Sequence, residues 1–420
     1  MFSMNQLVGL LGLWLITQSA QAVTVPQYTI TTRFAVTTQS IQVSLTLSLD
    51  NRVGQTDTLQ FLLNKNAHIQ TIIGVEQLLR FQFDSSDRSP NWYQPDARRL
   101  LIPAASLPMG LTTLAINYDC FLGDMQKAGC AYTPEYIELN NYENWFPYND
   151  AYGRFTFRVK VLLDPGYQFA GSGRVSGSAG NWQLTQQKPV NDIVLVASPR
   201  LKTKFYTRQG STIRVDYFGL PEVKADSILD NCRSVLAYYT ALFGPIEKSS
   251  LTLFINPSRD RTSYARREFI SFQIKGQSID QTIQGIGHEI GHFWWDRANT
   301  DSWEDWLNES FAEYSALLYL RQERGTAAFE QEIDRYRKTA QLLPPLRGMN
   351  RSFEQASTVL YRKGPIILYE LERQVGPTPF AALLRETIRR NVSRTDEFLQ
   401  LLTQRFPPAV ARAVDTALNQ

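Results

Sequence analysis

The chain has 420 residues, enough for two or three domains with cores of their own. Hydrophobic residues make up 43% and charged residues 20%, which excludes a disordered chain. A net charge of +3 is too small to argue for nucleic acid or an anionic membrane surface as partner, and no RNA-binding aromatic motif or phosphate-cradling glycine loop is present.

Residues 1–22 read as a signal peptide. An apolar block runs from Leu7 to Ile16, and a polar stretch then ends in Ala20-Gln21-Ala22, the small-x-small pattern at which signal peptidases cut. The block is too short to span a bilayer comfortably, so the expectation is a cleaved signal, not a retained anchor. No later run is apolar enough to cross a membrane, and the mature chain is expected in the periplasm or secreted. Export implies an oxidising compartment. There Cys120 and Cys130, which flank the polar loop "FLGDMQKAG", are expected to close a small disulfide. Cys232 lies at helical spacing in "ILDNCRSVLAYY" and is expected as a buried free thiol.

From residue 23 to 200 the hydrophobic pattern has period two. "YTITTRFAVTT" and "SIQVSLTLSLD" alternate polar and apolar residues as half-buried strands do. "TLQFLLN", "GRFTFRVKVLLD" and "DIVLVAS" add further strands, with Asp164-Pro165-Gly166 marking a turn. This predicts an N-terminal all-β sandwich or saddle domain. From 201 to 420 the period changes. "ADSILDNCRSVLAYYTALFG" predicts a helix stopped at Gly244, "SLTLFIN" and "EFISFQIKG" predict strands, and everything after Ser278 reads as helix. Breaks fall at "LLPPLRGMN", Gly376-Pro377 and "NVSRTD". The second half is therefore an α+β domain that ends all-helical.

Three histidines occur in the whole chain, and two of them stand in "GHEIGHFWW". Ser278-Ile279-Asp280-Gln281 is a capping-box sequence that should start their helix. Ile279, Ile283, Ile286, Ile290 and Phe293 form one stripe expected to face the core, with the imidazoles on the opposite face. Four positions apart, His288 and His292 point the same way and can hold one metal ion, with Glu289 one step round the helix. Zinc hydrolysis needs that set: imidazoles fix the ion, a further protein ligand leaves a position for water, and a nearby carboxylate takes the proton. The further ligand is sought in "DSWEDWLNESFAEYSALLYLRQERG", where Glu309 and Glu313 share a helix face. One carboxylate can ligate while the other hydrogen-bonds to an imidazole from behind.

HEIGH followed by "WLNESFAEY" resembles the M1 family of zinc metallopeptidases (gluzincins), which carry HExxH, a spacer and NEGFA. The likeness continues in "NWFPYNDAYGRFTFRVKVLLDPGYQFAGSG", in "AYYTALFGPI" and in "VLYRKGPIILYEL", which is similar to the family's YxKG segment. The resemblance implies a thermolysin-like catalytic domain and one Zn2+ held by His288, His292 and Glu309. It further implies Glu289 as general base and Tyr361 as hydrogen-bond donor to the oxyanion. Glu138 in "YIELNNYENWFP" falls where the family supplies a contact to a substrate's free amine.

The departures are as informative. The spacer between His292 and Glu309 holds 16 residues, fewer than is usual in the family. The GAMEN motif is missing, and "TSYARREFISFQ" stands in its place with Arg266 and Arg267. The chain shows no counterpart of the family's large C-terminal helical domain. The expectation is an exported zinc metallopeptidase acting on peptide substrates, aminopeptidase-like, with "EFISFQIK" as the edge strand that pairs with substrate. Endopeptidase action, hydrolysis of another amide or an ester, and a non-catalytic zinc-containing peptide-binding scaffold are the rivals. Retention of Glu289 argues against the scaffold, to which a base is useless. Nothing in the sequence speaks to oligomeric state.

Overall fold

The computed structural model describes residues 25–51, 57–91, 93–125, 130–208, 211–245, 250–256, 263–274 and 278–420. The expected signal peptide lies outside the described residues.

The N-terminal portion is built on an eight-stranded sheet. Its strand order is Arg174–Ser178, Asn181–Val190, Phe155–Leu162, Gln27–Ala35, Ser40–Asp50, Leu111–Phe121, Ala67–Gly74 and Gln77–Leu78. The period-two pattern has its expected meaning here. Along Gln27–Ala35 every second side chain is buried, and Ser40–Asp50 pairs with it in antiparallel register with the same alternation. The inward residues Ile30, Val43, Leu45, Ile116 and Val159 meet Phe61, Leu100 and Ile102 of a three-stranded sheet across one core. Each such side chain contributes about 1.5–3 kcal/mol on full burial. A four-stranded sheet that includes Ile137–Leu139 and Leu195–Ser198 faces the second half of the chain.

The second half opens with a five-stranded sheet in the order Lys202–Arg208, Ser211–Tyr217, Ser250–Asn256, Phe269–Gln273, Tyr264–Arg266. The segment expected to be an edge strand is therefore internal. Phe269–Gln273 pairs in parallel with Ser250–Asn256 on one side and antiparallel with Tyr264–Arg266 on the other. The chain folds back through Arg267, at φ +52°, and the short return strand takes the edge.

Helix α1 (Glu222–Phe243) ends at Gly244, whose φ of +101° favours glycine. The helices α2 (Ile279–Gly291), α3 (Trp306–Arg324) and α4 (Thr326–Ala340) follow. Then α5 (Ala356–Thr358) passes through a π turn at Val359–Lys363 into α6 (Gly364–Val375). The chain closes with α7 (Pro377–Arg389), α8 (Thr395–Arg405) and α9 (Pro408–Leu418). Helix α3 is buried almost all round from Trp306 to Leu320, which makes it the central post of this half.

The expected disulfide is absent. Cys120 and Cys130 are both free and buried. Cys120 points inward from Leu111–Phe121 into the β core, and Cys130 is aimed elsewhere, at Asn140 Oδ1 3.3 Å away. Cys232 is the buried free thiol expected on α1. Among the described residues no helix is long and apolar enough to cross a membrane.

Candidate active site

Helix α2 starts as its sequence dictates. Ser278 Oγ accepts from Gln281 N, and the Gln281 side chain accepts from Ser278 N, so two orphan amides are satisfied at once. Ile286 and Ile290 are fully buried, but Ile279 at the first turn is 57% exposed, because the core does not reach that far. The imidazoles are not on an open face either. Helix α3 covers them, and glycines let it come close. A Cβ on Gly291 would lie 3.1 Å from Ala312 Cα, and one on Gly287 would lie 3.4 Å from Ala316 Cα. Glycine therefore sets the α2–α3 separation, and with it the reach of Glu309.

That packing brings three donor atoms to one point. His288 Nε2 and His292 Nε2 are 3.2 Å apart, and Glu309 Oε2 lies 3.3 Å from the first and 3.5 Å from the second. Donors held about 2.0–2.1 Å from a tetrahedral zinc stand about 3.3–3.4 Å from one another. The three residues fit one face of such a tetrahedron. Electrostatics agree. Burial works against a charge on Glu309, yet His292 and His288 hold its carboxyl well below the usual range. Burial likewise opposes protonation of both imidazoles, yet Glu309 beside them and Glu313 behind His288 raise them. Both directions describe a pocket that favours positive charge.

The imidazoles are fixed from behind. Glu313 Oε2 is 2.7 Å from His288 Nδ1, and His292 Nδ1 donates to Trp295 O at 3.1 Å. Nδ1–H in both rings leaves Nε2 free to ligate. Glu313 is itself held: Oε1 accepts from Gln284 Nε2 at 2.9 Å, from Arg362 Nη1 at 3.2 Å and from the Tyr336 hydroxyl. Burial raises the proton affinity of Glu313, but His288 and Arg362 outweigh it and keep the carboxyl below its ordinary value. Sequence reasoning missed Gln284, Tyr336 and Arg362. Gln284 was within its reach, four residues before His288 on the same face.

Glu289 is buried beside the three donors. Burial pushes its pKa up, and His288 and His292 only partly counter that. The Tyr361 ring stacks on His288, with centroids 4.9 Å apart at 26°. Burial first, then Glu309 and Glu289, push its phenol well above the ordinary value, so it stays protonated and able to donate. Tyr361 sits on the π turn, which widens the helix at that point.

The remaining candidates lie at the junction with the β portion. Glu138 is fully buried, accepting from Asn256 Nδ2 at 2.7 Å and from Tyr264 Oη at 2.8 Å. Arg266 is not a free cation. Its Nε donates to the buried Asp192 at 2.7 Å, and its guanidinium lies over the rings of Tyr142 and Tyr264. Arg267 turns away and donates to Pro189 O at 2.9 Å. Asp192 was invisible in the sequence, 74 positions from its partner.

Fold and site together define a class, a two-domain zinc metallopeptidase with a β-rich first part and a helical second part. Residues 264–417 match the model described as Peptidase family M1 domain, in agreement with the resemblance read from the motifs. Solved structures agree in fold. A variant of the M1 zinc metallopeptidase from Deinococcus radiodurans, bound to a Tyr-Ser-Ala substrate, is 16% identical with a TM-score of 0.71. That match covers 95% of this chain and 94% of the other. A two-domain M1 zinc metallopeptidase variant bound to L-tryptophan gives a TM-score of 0.73 at 16% identity, covering 95% of each chain. Leukotriene A4 hydrolase from Saccharomyces cerevisiae gives 0.68 at 17% identity, covering 93% of this chain and 66% of that one. No curated protein matches the chain. Zinc is the cofactor this class implies, and the donor set fits it.

Proposed function

We propose that the protein is an exported M1-type peptidase with one zinc held by His288, His292 and Glu309. The observation that carries this reading is the triangle of two Nε2 atoms and one Oε2 atom with edges of 3.2 to 3.5 Å. Bound there, zinc supplies Lewis acidity that acidifies a water and polarises a peptide carbonyl. The chain's own residues do the rest. Glu289, its proton affinity raised by burial, takes the water's proton during attack and passes it to the leaving amine. Tyr361, kept neutral, donates its hydroxyl to the carbonyl oxygen as negative charge develops there. Glu313 and the Trp295 carbonyl hold both imidazoles in the ligating tautomer.

The subtype we infer is aminopeptidase-like, with weakened dependence on a free α-amine. Glu138 is already engaged by Asn256 and Tyr264, and Arg266, paired with Asp192, supplies no acid for a substrate's ammonium in its place. Export to the periplasm or beyond rests on residues 1–22 alone. The deciding experiment pairs metal analysis with a peptide digest. The parent should carry one zinc and cut peptides, and Glu309→Ala should lose both. Undiminished zinc in Glu309→Ala would move the third ligand elsewhere.

A further inference from the structure

The π turn that carries Tyr361 leaves one carbonyl without a helical partner. Gly364 N donates back five residues to Val359 O, as a π turn requires. The same pattern would have residue 365 donate to Leu360 O, but residue 365 is proline and has no N–H. Leu360 O is thereby orphaned inside the protein, where an unpaired carbonyl is costly. Ser310 Oγ fills the gap, donating to Leu360 O at 2.7 Å in a buried hydrogen bond. Ser310 is fully buried and follows Glu309 directly on α3. Leu360 directly precedes Tyr361. One hydrogen bond thus ties the backbone beside the metal-ligand carboxylate to the backbone beside the phenol.

The fit around Ser310 is tight. A Cβ on Gly364 would fall 1.9 Å from Ser310 Oγ and 2.5 Å from its Cβ, so glycine at 364 is what lets the hydroxyl reach the turn. The family motif quoted above has glycine where this chain has Ser310, so the hydroxyl is a feature of this sequence.

We infer that Ser310 is a positioning residue for Tyr361: its hydroxyl bridge to Leu360 O fixes the π turn, and so the direction of the phenol hydroxyl, relative to Glu309. This rests on the function proposed for Tyr361. Without the bridge the turn can relax toward ordinary helix, which swings the ring away from its stack on His288. Ligand atoms and Glu289 are untouched, so substrate binding and zinc content should not change.

The test is a cycle on the zinc-loaded full chain with Ser310→Ala, Tyr361→Phe and both together. Ser310→Ala should lower kcat on the order of tenfold to a hundredfold, the scale expected for a catalytic group displaced by about 1 Å. KM and bound zinc should stay at parent values. In the Tyr361→Phe background the same substitution should cost nothing further. Parent kcat in Ser310→Ala, loss of zinc from it, or an equal drop in the Tyr361→Phe background would each overturn the inference. A fully active Tyr361→Phe would instead sink the role proposed for the tyrosine, which separates the two failures. Ser310→Ala combined with Pro365→Ala covers the case in which the single variant folds poorly, because it returns an N–H to the turn. It should recover kcat relative to Ser310→Ala, or fold where that variant does not. Absence of any recovery would count against the orphaned carbonyl as the cause.

Discussion

His288 and Glu313 meet at 2.7 Å, Nδ1 to Oε2, on the side of the ring away from the donor triangle. That contact fixes which nitrogen carries the proton and turns the other toward Glu309 and His292. It also makes the imidazole more basic as a ligand. Glu313→Ala should therefore keep the three donors yet weaken zinc binding about 10- to 100-fold. Competition with a chelator of known affinity measures this. Parent affinity in the variant would reduce Glu313 to a packing residue.

Glu289→Gln should keep its zinc and its melting temperature. Turnover should fall by about 10²- to 10⁴-fold, because an amide cannot take the proton of the attacking water. Single-turnover assays on a peptide report it. Residual activity near the parent level would mean that another group is the base.

Tyr361→Phe should bind substrate about as well as the parent and lose turnover, since its hydroxyl acts as charge develops on the carbonyl oxygen. An effect on KM alone would make the phenol a ground-state contact.

A substrate's ammonium finds Glu138 already accepting two hydrogen bonds, from Asn256 and Tyr264. N-acetylated peptides should thus still be cut. The measurement is a matched pair, free and acetylated, at equal concentration. An inert acetylated peptide beside residue-by-residue trimming of the free one would establish ordinary aminopeptidase action instead.

Gly291→Ala sets two effects against each other. Alanine gains about 1 kcal/mol in helix propensity. Its Cβ, however, would sit 3.1 Å from Ala312 Cα, and backbone cannot swing aside. Overpacking of this kind costs about 1–3 kcal/mol, so the net should be destabilising. Gly287→Ala meets the Tyr239 hydroxyl at 3.2 Å and Ala316 at 3.4 Å, and should be milder. Thermal melts of the two variants decide, and a Gly291→Ala protein as stable as the parent would refute the packing argument.

Local pattern carried a large share of this protein. Alternation along Gln27–Ala35 and Ser40–Asp50 gave the β portion, and Ser278-Ile279-Asp280-Gln281 placed the start of α2, because both signals lie within a few residues of what they determine. The four-residue spacing of His288 and His292 sufficed to put both rings on one side of a helix. What depends on distant pairing was decided only by the tertiary structure. The edge of the five-stranded sheet went to Tyr264–Arg266 and not to Phe269–Gln273, since strand order is set by partners and not by pattern. Cys120 and Cys130 stayed apart, because proximity in sequence does not aim two side chains at each other. Arg266 was neutralised by Asp192 from the other half of the chain. The Leu360 carbonyl found its donor in Ser310, 50 residues away, because a backbone group orphaned by a proline must take whatever hydroxyl the packing of two helices brings to it.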